Sequence, residues 1–454
     1  MPPNENQEKS EVEQLMEEIL EDEQKKFDNA DGTFFLNDDV AHYVYGDLII
    51  KHMPIVYYHG YFYIHVDGGY ILGDKILEKK IVSLNKSLKK GQRKEIMNYI
   101  ALQTEIDQQD INTNLINFQN GLFNLASKEL LPHNPNVFTV NQIHANYDKN
   151  VAVNEYIEKF LDDITCNIPE RKQAILELTG YCMTSSVWIG KACVFFGPTA
   201  ENGKSVLIRL ITNLIGRENT SNVAIHKLQE RFYTANIADK LLNTASELPK
   251  TDLKSVDMFK NVVTGDEIIG EIKFKTPFSF RPYAKHIFAT NSLPTVLDNN
   301  DGYYRRLNIL LFERKFTVEE QNHFIEERLF TQEALDYFAY ISLQAYLKLV
   351  EEGRRDFANY EESNQLIDSY KADNNSALSF LTSELAEKTF ENDNRIKKTM
   401  LYQIYKDWCE DNNYIAYKSK DFHKKVAESK TLALKFYDGY ECYQKRPILT
   451  AENN

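Results

Sequence analysis

The sequence predicts an α/β protein built around a phosphate-binding core, on three observations. A short apolar run, Ala192–Phe196, leads into GPTAENGKS (Gly197–Ser205), and an amphipathic helical stretch, SVLIRLITNLIG, follows at once. Two further apolar runs, KLLNTASEL and KHIFATN, each end in a polar residue. Apolar strands without polar alternation are those of a parallel sheet covered on both faces.

GPTAENGKS supplies the order a bound phosphate needs: a strand, a turn of backbone N–H groups, and a helix N-terminus behind it. Five residues separate Gly197 from Gly203, one more than the usual phosphate loop allows, so a longer neck is expected. In that reading Gly197, Asn202, Gly203, Lys204 and Ser205 hold ATP. Lys204 meets the β and γ phosphates and Ser205 places its hydroxyl on Mg²⁺. Glu201 brings a negative charge close to the same place. ATP hydrolysis also needs a carboxylate at a neighbouring strand end, a polar group near the γ-phosphate and a cation. Glu247 in LLNTASE, Asn291 in HIFATN and the pair Arg305–Arg306 in DGYYRR supply these in order. Ser205 and Glu247 are the expected metal contacts, with Ser246 reaching the metal through water.

Length and composition bound the rest. The 454 residues allow roughly three domains of about 150 residues, and no apolar run reaches the ~20 residues of a membrane helix. The N-terminus lacks a signal-peptide pattern, so a soluble, intracellular protein is expected. Five scattered cysteines without a C-x-x-C pair argue against structural zinc or a disulfide framework. The net charge of −14 disfavours a nucleic-acid partner only at first sight. Residues 1–30 hold ten acids and three lysines, a net −7 and half of the total, within which Val12, Leu15, Met16, Ile19 and Leu20 recur at helical spacing.

Residues 31–150 read as an α+β domain. MPIVYYHGYFYIHV reads as two strands around His59-Gly60 within an aromatic, β-rich stretch from 33 to 70. Lys75–Lys94 reads as one amphipathic basic helix with eight basic residues against Glu78 alone. INFQNGLFNL reads as a hairpin turning at Asn120-Gly121. Residues 151–189 and 316–352 read as helical, and YEESNQLIDSYKADNNS as a polar linker. From 371 onward, MLYQIYKDWCEDNNYIAYKSKDFHKKVAESKTLALKFYDGYECYQ reads as helix, turn, helix and a β-hairpin. Its second helix is expected near Ser419–Ser429, with Lys418, Lys420, Lys424 and Lys425 as DNA contacts.

The stretches INFQNGLFNLASKELLPH, ELTGYCMTSS, NGKSVLIRLI, TASEL, FKNVVTGDEI, KHIFATNSLP and DGYYRRLNILLF resemble the superfamily-3 helicase core of phage, plasmid and poxvirus primase–helicases, a branch of the AAA+ ATPases. The resemblance covers about residues 110–315. It implies an AAA+ core at 190–315 with a helical collar at 151–189, and a C-terminal part at 371–454 similar to a winged-helix domain. It implies a homo-oligomer, a hexameric ring moving on single-stranded DNA, with a primase or loader as a further partner and no membrane. Residue by residue, Asn202–Ser205 match the loop, Glu247 the catalytic acid, Asn291 the sensor, and Arg305 or Arg306 the arginine acting on the next subunit. GDEIIGEIKFKTPFSF takes the place of a hairpin in the ring's pore, where Lys273, Phe274 and Lys275 would touch DNA. The expected activity is ATP-driven unwinding of duplex DNA during replication of a phage or mobile element, in the cytoplasm of a bacterial host. An ATP-switched DNA-binding regulator and a packaging or remodelling ATPase are the alternatives.

Overall fold

The computed structural model describes residues 42–107, 113–245, 256–273, 276–294, 296, 301–317, 319–320, 324–391, 395–412, 414, 416–429 and 431–445. The acidic segment 1–30, Ser246, Glu247, Phe274 and Lys275 lie outside the described residues. Of the described residues, 42–63 with 72–105 fall in one compact unit and 64–71 with those from 106 onward in another.

The first unit opens on helix α1 (His42–His52), where the aromatic texture suggested strand. Packing decides against that local preference. A Cβ on Gly46 would stand 2.3 Å from a ring carbon of Tyr99, so α1 lies flush against the helix that carries Tyr99. Strands β1 (Ile55–Tyr58), β2 (Tyr61–Val66) and β3 (Gly69–Leu72) follow along the chain, which passes to the second unit over residues 64–71. His59 and Gly60 turn between the first two with φ of 49° and 80°, as expected of that dipeptide. The basic stretch 75–94 is two helices, not one: α2 (Asp74–Leu84) and the start of α3 (Lys90–Thr104). Asn85 ends α2 in an extended conformation, and its Oδ1 accepts from the backbone and hydroxyl of Ser87. A side chain that captures nearby donors in this way competes with the helix.

In the second unit, β4 (Leu115–Phe118), β5 (Gly121–Asn124), β6 (Glu129–Leu131) and β7 (Gln142–Ile143) form a sheet of order β6-β5-β4-β7. The hairpin expected here is present, but its turn is Gln119-Asn120. Gly121 is the first strand residue, because a Cβ there would sit 2.5 Å from the carbonyl oxygen of Leu131. Asn120 instead clamps Tyr147, donating to its carbonyl and accepting from its N–H.

Helices α4 (Glu155–Ile164) and α5 (Pro169–Cys182) lead to the main sheet. It comprises β8 (Ala192–Phe196), β9 (Thr220–Ser221), β10 (Leu242–Ala245), β13 (Lys285–Thr290) and β14 (Leu307–Leu311), all parallel, in the order β14-β8-β13-β10-β9. Between them run α6 (Lys204–Ile215), α7 (Asp257–Thr264), the hairpin β11 (Ile268–Gly270) and β12 (Phe278–Phe280), and the single turn α8 (Asp301–Tyr304). Alternate residues of each strand enter different cores, so both faces are covered. Cys193, Phe195, Ile287 and Ala289 pack with α4, α5 and α6. Ala192, Val194 and Phe288 pack with Phe259, Val262 and Tyr303 on the other side.

After α9 (Ile325–Leu329), the long helix α10 (Gln332–Glu351) runs along α5. Their backbones touch, since a Cβ on Gly180 would lie 2.2 Å from the carbonyl oxygen of Ser342. The supposed polar linker is a helix, α11 (Tyr360–Asp373), with only Ser363, Ile367 and Tyr370 buried. Those three carry it. Ser363 Oγ accepts the N–H of Ile309 in β14, Tyr370 donates to the carbonyl of Pro294, and Ile367 enters the core. The C-terminal elements are α12 (Ser376–Leu381), α13 (Glu384–Glu391), β15 (Arg395–Lys397), α14 (Lys398–Asp411), α15 (Ser419–Ser429), β16 (Leu432–Tyr437) and β17 (Tyr440–Lys445). The second helix falls on Ser419–Ser429 as the lysine-rich stretch suggested, and Asp438-Gly439 turn the final hairpin.

Candidate nucleotide site

β8 ends at Phe196, and the loop that follows is pinned at both sides. The N–H of Gly197 donates to Thr290 of β13, while the N–H of Phe312, just past β14, donates to Phe196. Gly197 has no room for a side chain: its Cβ would stand 2.2 Å from Asn202 Nδ2 and 2.8 Å from Lys204 Nζ. The longer neck is absorbed at Glu201, whose φ of 61° is left-handed and whose carbonyl accepts the N–H of Phe316. Gly203 is left-handed too, at φ 84°, and starts α6 with its Cα against Ile164 of α4. The Glu201 side chain is exposed.

Lys204 is only 7% exposed. Its ammonium donates to Asn291 Oδ1 at 2.9 Å, Asn202 Oδ1 at 3.0 Å and the Gly197 carbonyl at 3.4 Å. Asn202 is buried as well, and donates to the carbonyls of Thr199 and Phe312. Burial holds the Lys204 amine below the usual lysine value. All three acceptors are neutral, so among the described residues a buried cation stands at a helix N-terminus with no carboxylate paired to it. A buried charge is costly unless an opposite charge meets it, so these residues fit a phosphate. Ser205 is exposed in the first turn of α6. Among the described residues no group of three or more His, Cys, Asp or Glu side chains could hold a metal. Glu247, the other expected metal contact, is outside them.

Sequence reasoning thus brought Gly197, Asn202, Lys204 and Asn291 to one place. It missed the Phe312 carbonyl and a cavity of 570 Å³ beside the loop, whose apolar wall is Tyr156, Phe160, Val206, Phe316 and Ile325. Arg314 rims this cavity, paired with Asp163 at 3.2 Å and 4.8 Å from the Phe316 ring centre. These residues come from four distant segments, and no local motif announces them.

Arg305 and Arg306 are elsewhere. The Arg306 carbonyl accepts the N–H of Ala192, the first residue of β8. The arginines therefore stand at the start of β8 and β14, while the loop leaves their far end. Five parallel-strand residues span roughly 16 Å. The pair lines a cleft of 720 Å³ with Ser186, Trp188, Thr264 and Arg355, the last unnoticed in the sequence although Arg354-Arg355 is also an arginine pair. Arg306 Nη1 donates to Gly302, and its Nε is buried without a hydrogen-bond partner among the described residues. Burial, and then Arg305 beside it, lower its pKa, against the pull of Asp266.

Lys273 follows β11 in the loop of the β11–β12 hairpin, with its Nζ 5.9 Å from the Phe232 ring centre. Of the α15 lysines, Lys424 and Lys425 lie 3.9 and 3.3 Å from Glu428. Lys420 is exposed, and Lys418 precedes the helix.

Known proteins are similar to this chain. Residues 4–166 match the family model described as D5 N terminal like, 195–306 a family of unknown function (DUF5906), and 372–448 the Poxvirus D5 protein-like model. A helicase-named protein of Acanthamoeba polyphaga mimivirus is 27% identical over 245 residues, covering 51% of this chain and 25% of that protein. A helicase-named protein of Invertebrate iridescent virus 6 is 23% identical over 385 residues, 74% of this chain and 39% of that one. The chain thus spans a quarter to two-fifths of the length of these two relatives. Two apo structures of the NrS-1 C terminal region share the fold, at TM-scores of 0.52 and 0.51 and identities of 13% and 11%, each covering 89% of this chain and 98% of theirs. Among the described residues no helix is long and apolar enough to cross a membrane. With D5-type models matched at both ends, helicase-named viral relatives and the NrS-1 fold between them, the chain is a relative of the phage- and poxvirus-type primase–helicases.

Proposed function

We propose that this chain is the ATP-hydrolysing motor of a DNA helicase that unwinds duplex DNA during replication of a phage, virus or mobile element. The observation that carries the reading is the buried Lys204 ammonium, which three neutral oxygens orient at the start of α6 and which no carboxylate among the described residues neutralises. ATP binds with its phosphates on Lys204 and the N-terminus of α6, and its base enters the apolar cavity next to Val206 and Phe316. Asn291 senses the γ-phosphate, and Glu247 polarises the attacking water. Mg²⁺, held through Ser205 and Glu247, neutralises phosphate charge when bound.

The parallel sheet with these groups at its strand ends is read as an AAA+ superfamily-3 core, with α4, α5 and α10 as its helical collar and residues 371–454 as a winged-helix domain. The arginines support a ring. Arg305 and Arg306 stand at the opposite end of β8 from their own loop, which supports giving them the nucleotide of a second copy in this reading. A hexamer closes that arrangement, with Lys273 toward single-stranded DNA in the pore and α15 toward duplex DNA.

The test is a strand-displacement assay with purified protein, with and without ATP, beside Lys204→Ala and Glu247→Gln. The reading expects displacement by the unaltered protein with ATP only, and by neither variant. ATP-independent displacement, or turnover without displacement, would overturn it.

A further inference from the structure

β15, β17 and β16 form an antiparallel sheet in that order, and its register sorts the side chains. Ile396 pairs with Tyr443, Lys397 with Cys442, Lys435 with Cys442, and Tyr437 with Tyr440. Opposed residues share a face and successive residues alternate. One face therefore carries Leu432, Ile396 and Tyr443, which are buried in the apolar core of the C-terminal elements. The other carries Arg395, Lys397, Lys435, Tyr437, Tyr440 and Gln444.

Three cations share that outer face, and among the described residues no carboxylate does. Glu441 belongs to the inner face and pairs with Lys398 of α14 at 2.8 Å. Asp438 sits in the turn beyond the strands. Two of the cations rest on rings. The Arg395 guanidinium is 4.5 Å from the Tyr437 ring centre, and Lys397 Nζ is 3.7 Å from that of Tyr440. Tyr437 is anchored through its hydroxyl to Gln444 Oε1, while Tyr440 is 54% exposed. The α15 lysines expected to meet DNA contrast with this, since Glu428 lies beside Lys424 and Lys425.

We propose that this outer sheet face binds single-stranded nucleic acid. Arg395, Lys397 and Lys435 take backbone phosphates, and the Tyr440 ring takes an unpaired base. Charge complementarity calls for a polyanion. Aromatic rings interleaved with cations add most for a strand whose base faces are open, whereas a duplex keeps its base faces stacked on one another. The site is separate from the nucleotide loop and extends the helicase reading, so it is tested without ATP.

The experiment is fluorescence anisotropy of full-length protein with a labelled oligothymidylate and with a duplex of the same length, across a salt series, in EDTA. Lys397→Gln with Lys435→Gln should weaken oligothymidylate binding, and should shallow the log Kd against log salt slope by about 1.4, or about 0.7 for each phosphate contact. Tyr440→Ala should raise the Kd roughly 5- to 100-fold, the scale of one stacked base, and should leave the salt slope unchanged. Duplex binding should change less in both variants. All three are surface changes, and a thermal melt matching the unaltered protein confirms the fold. Should Tyr440→Ala lower the melting temperature, Tyr440→Phe, which keeps the ring, must restore single-strand affinity. Unchanged oligothymidylate affinity and slope would overturn the proposal, and so would an equal loss on duplex. Loss of single-strand binding in a protein that never displaces strands would leave this inference standing and remove the helicase reading instead.

Discussion

Lys204 Nζ lies 2.9 Å from Asn291 Oδ1, so a single hydrogen bond joins the loop after β8 to the end of β13. The two residues are 87 positions apart, and each follows one of two adjacent parallel strands, β8 and β13. Any group that draws the ammonium forward is registered at once by the amide.

That pairing sets the first expectation. Lys204→Ala should abolish ATP hydrolysis while the fold persists, because the buried cation contributes nothing to the core beyond neutral hydrogen bonds. Phosphate-release kinetics and a thermal melt check both halves.

Asn291→Ala and Asn291→Asp should differ. The alanine variant loses turnover but keeps nucleotide binding within severalfold. The aspartate variant sets a carboxylate against Lys204, which then competes with phosphate. Its nucleotide affinity should fall roughly ten- to hundredfold, the worth of about 1.5–3 kcal/mol for a hydrogen bond to a charged group. Titration calorimetry with a non-hydrolysable ATP analogue measures the difference. Equal affinities would place Asn291 away from the phosphates.

The arginine pair is expected to act between copies. Mixing Arg305→Ala with Lys204→Ala protein should restore part of the ATPase activity that each lacks alone, since some interfaces then join an intact loop to an intact arginine. Arg305 is exposed, whereas Arg306 is tied to Gly302, so Arg305 is expected to give the larger recovery. No recovery in rings shown to be mixed would put both arginines in a cis or structural role.

Lys273→Ala should reduce stimulation of ATP turnover by single-stranded DNA and abolish unwinding. The salt dependence of single-strand binding should shallow by about 0.7 per lost contact. Normal unwinding would move the strand's path away from the β11–β12 hairpin.

Lys285 gives a pH-dependent expectation. It is buried at the start of β13, where its Nζ donates to the carbonyls of Thr184 and Tyr283 and lies 4.8 Å from the Tyr181 ring centre. Burial lowers its pKa from 10.5 to about 7. Between those values the unfolded chain binds a proton that the folded chain does not, so stability rises with pH across that window. Relative to Lys285→Met, the protein should gain roughly 2–3 kcal/mol in urea denaturation between pH 7.5 and 9.5. A flat difference would mean the amine stays charged in place.

Much of the site was legible because its parts are local. Glycine, lysine and the strand-end asparagine announce themselves within a few residues of an apolar run. The Phe312 carbonyl, the Tyr156–Phe316 cavity wall and Arg355 were not legible, because each arrives through tertiary packing and has an ordinary neighbourhood in sequence. The fold followed the same division. β8, β10, β13 and α15 were readable as uniform runs, while α11 was not. Its helix rests on three buried residues among fourteen, too few to raise a periodic signal above its polar surface. Gly121 misled in the opposite way: it is demanded by the Leu131 backbone, not by a turn.

The close passage of α5 and α10 at Gly180 offers a genetic handle. One added methyl there meets the Ser342 carbonyl and the Tyr346 Cβ, neither of which is a movable side-chain end. Gly180→Ala should therefore behave as a conditional allele, functional when cool and failing when warmed, at a cost of about 1–3 kcal/mol for an overpacked core. Because the lesion lies in the helical layer and touches none of the nucleotide or DNA residues, a shift in temperature would withdraw the whole protein at a chosen moment. It would thereby reveal which process depends on it, and at what stage.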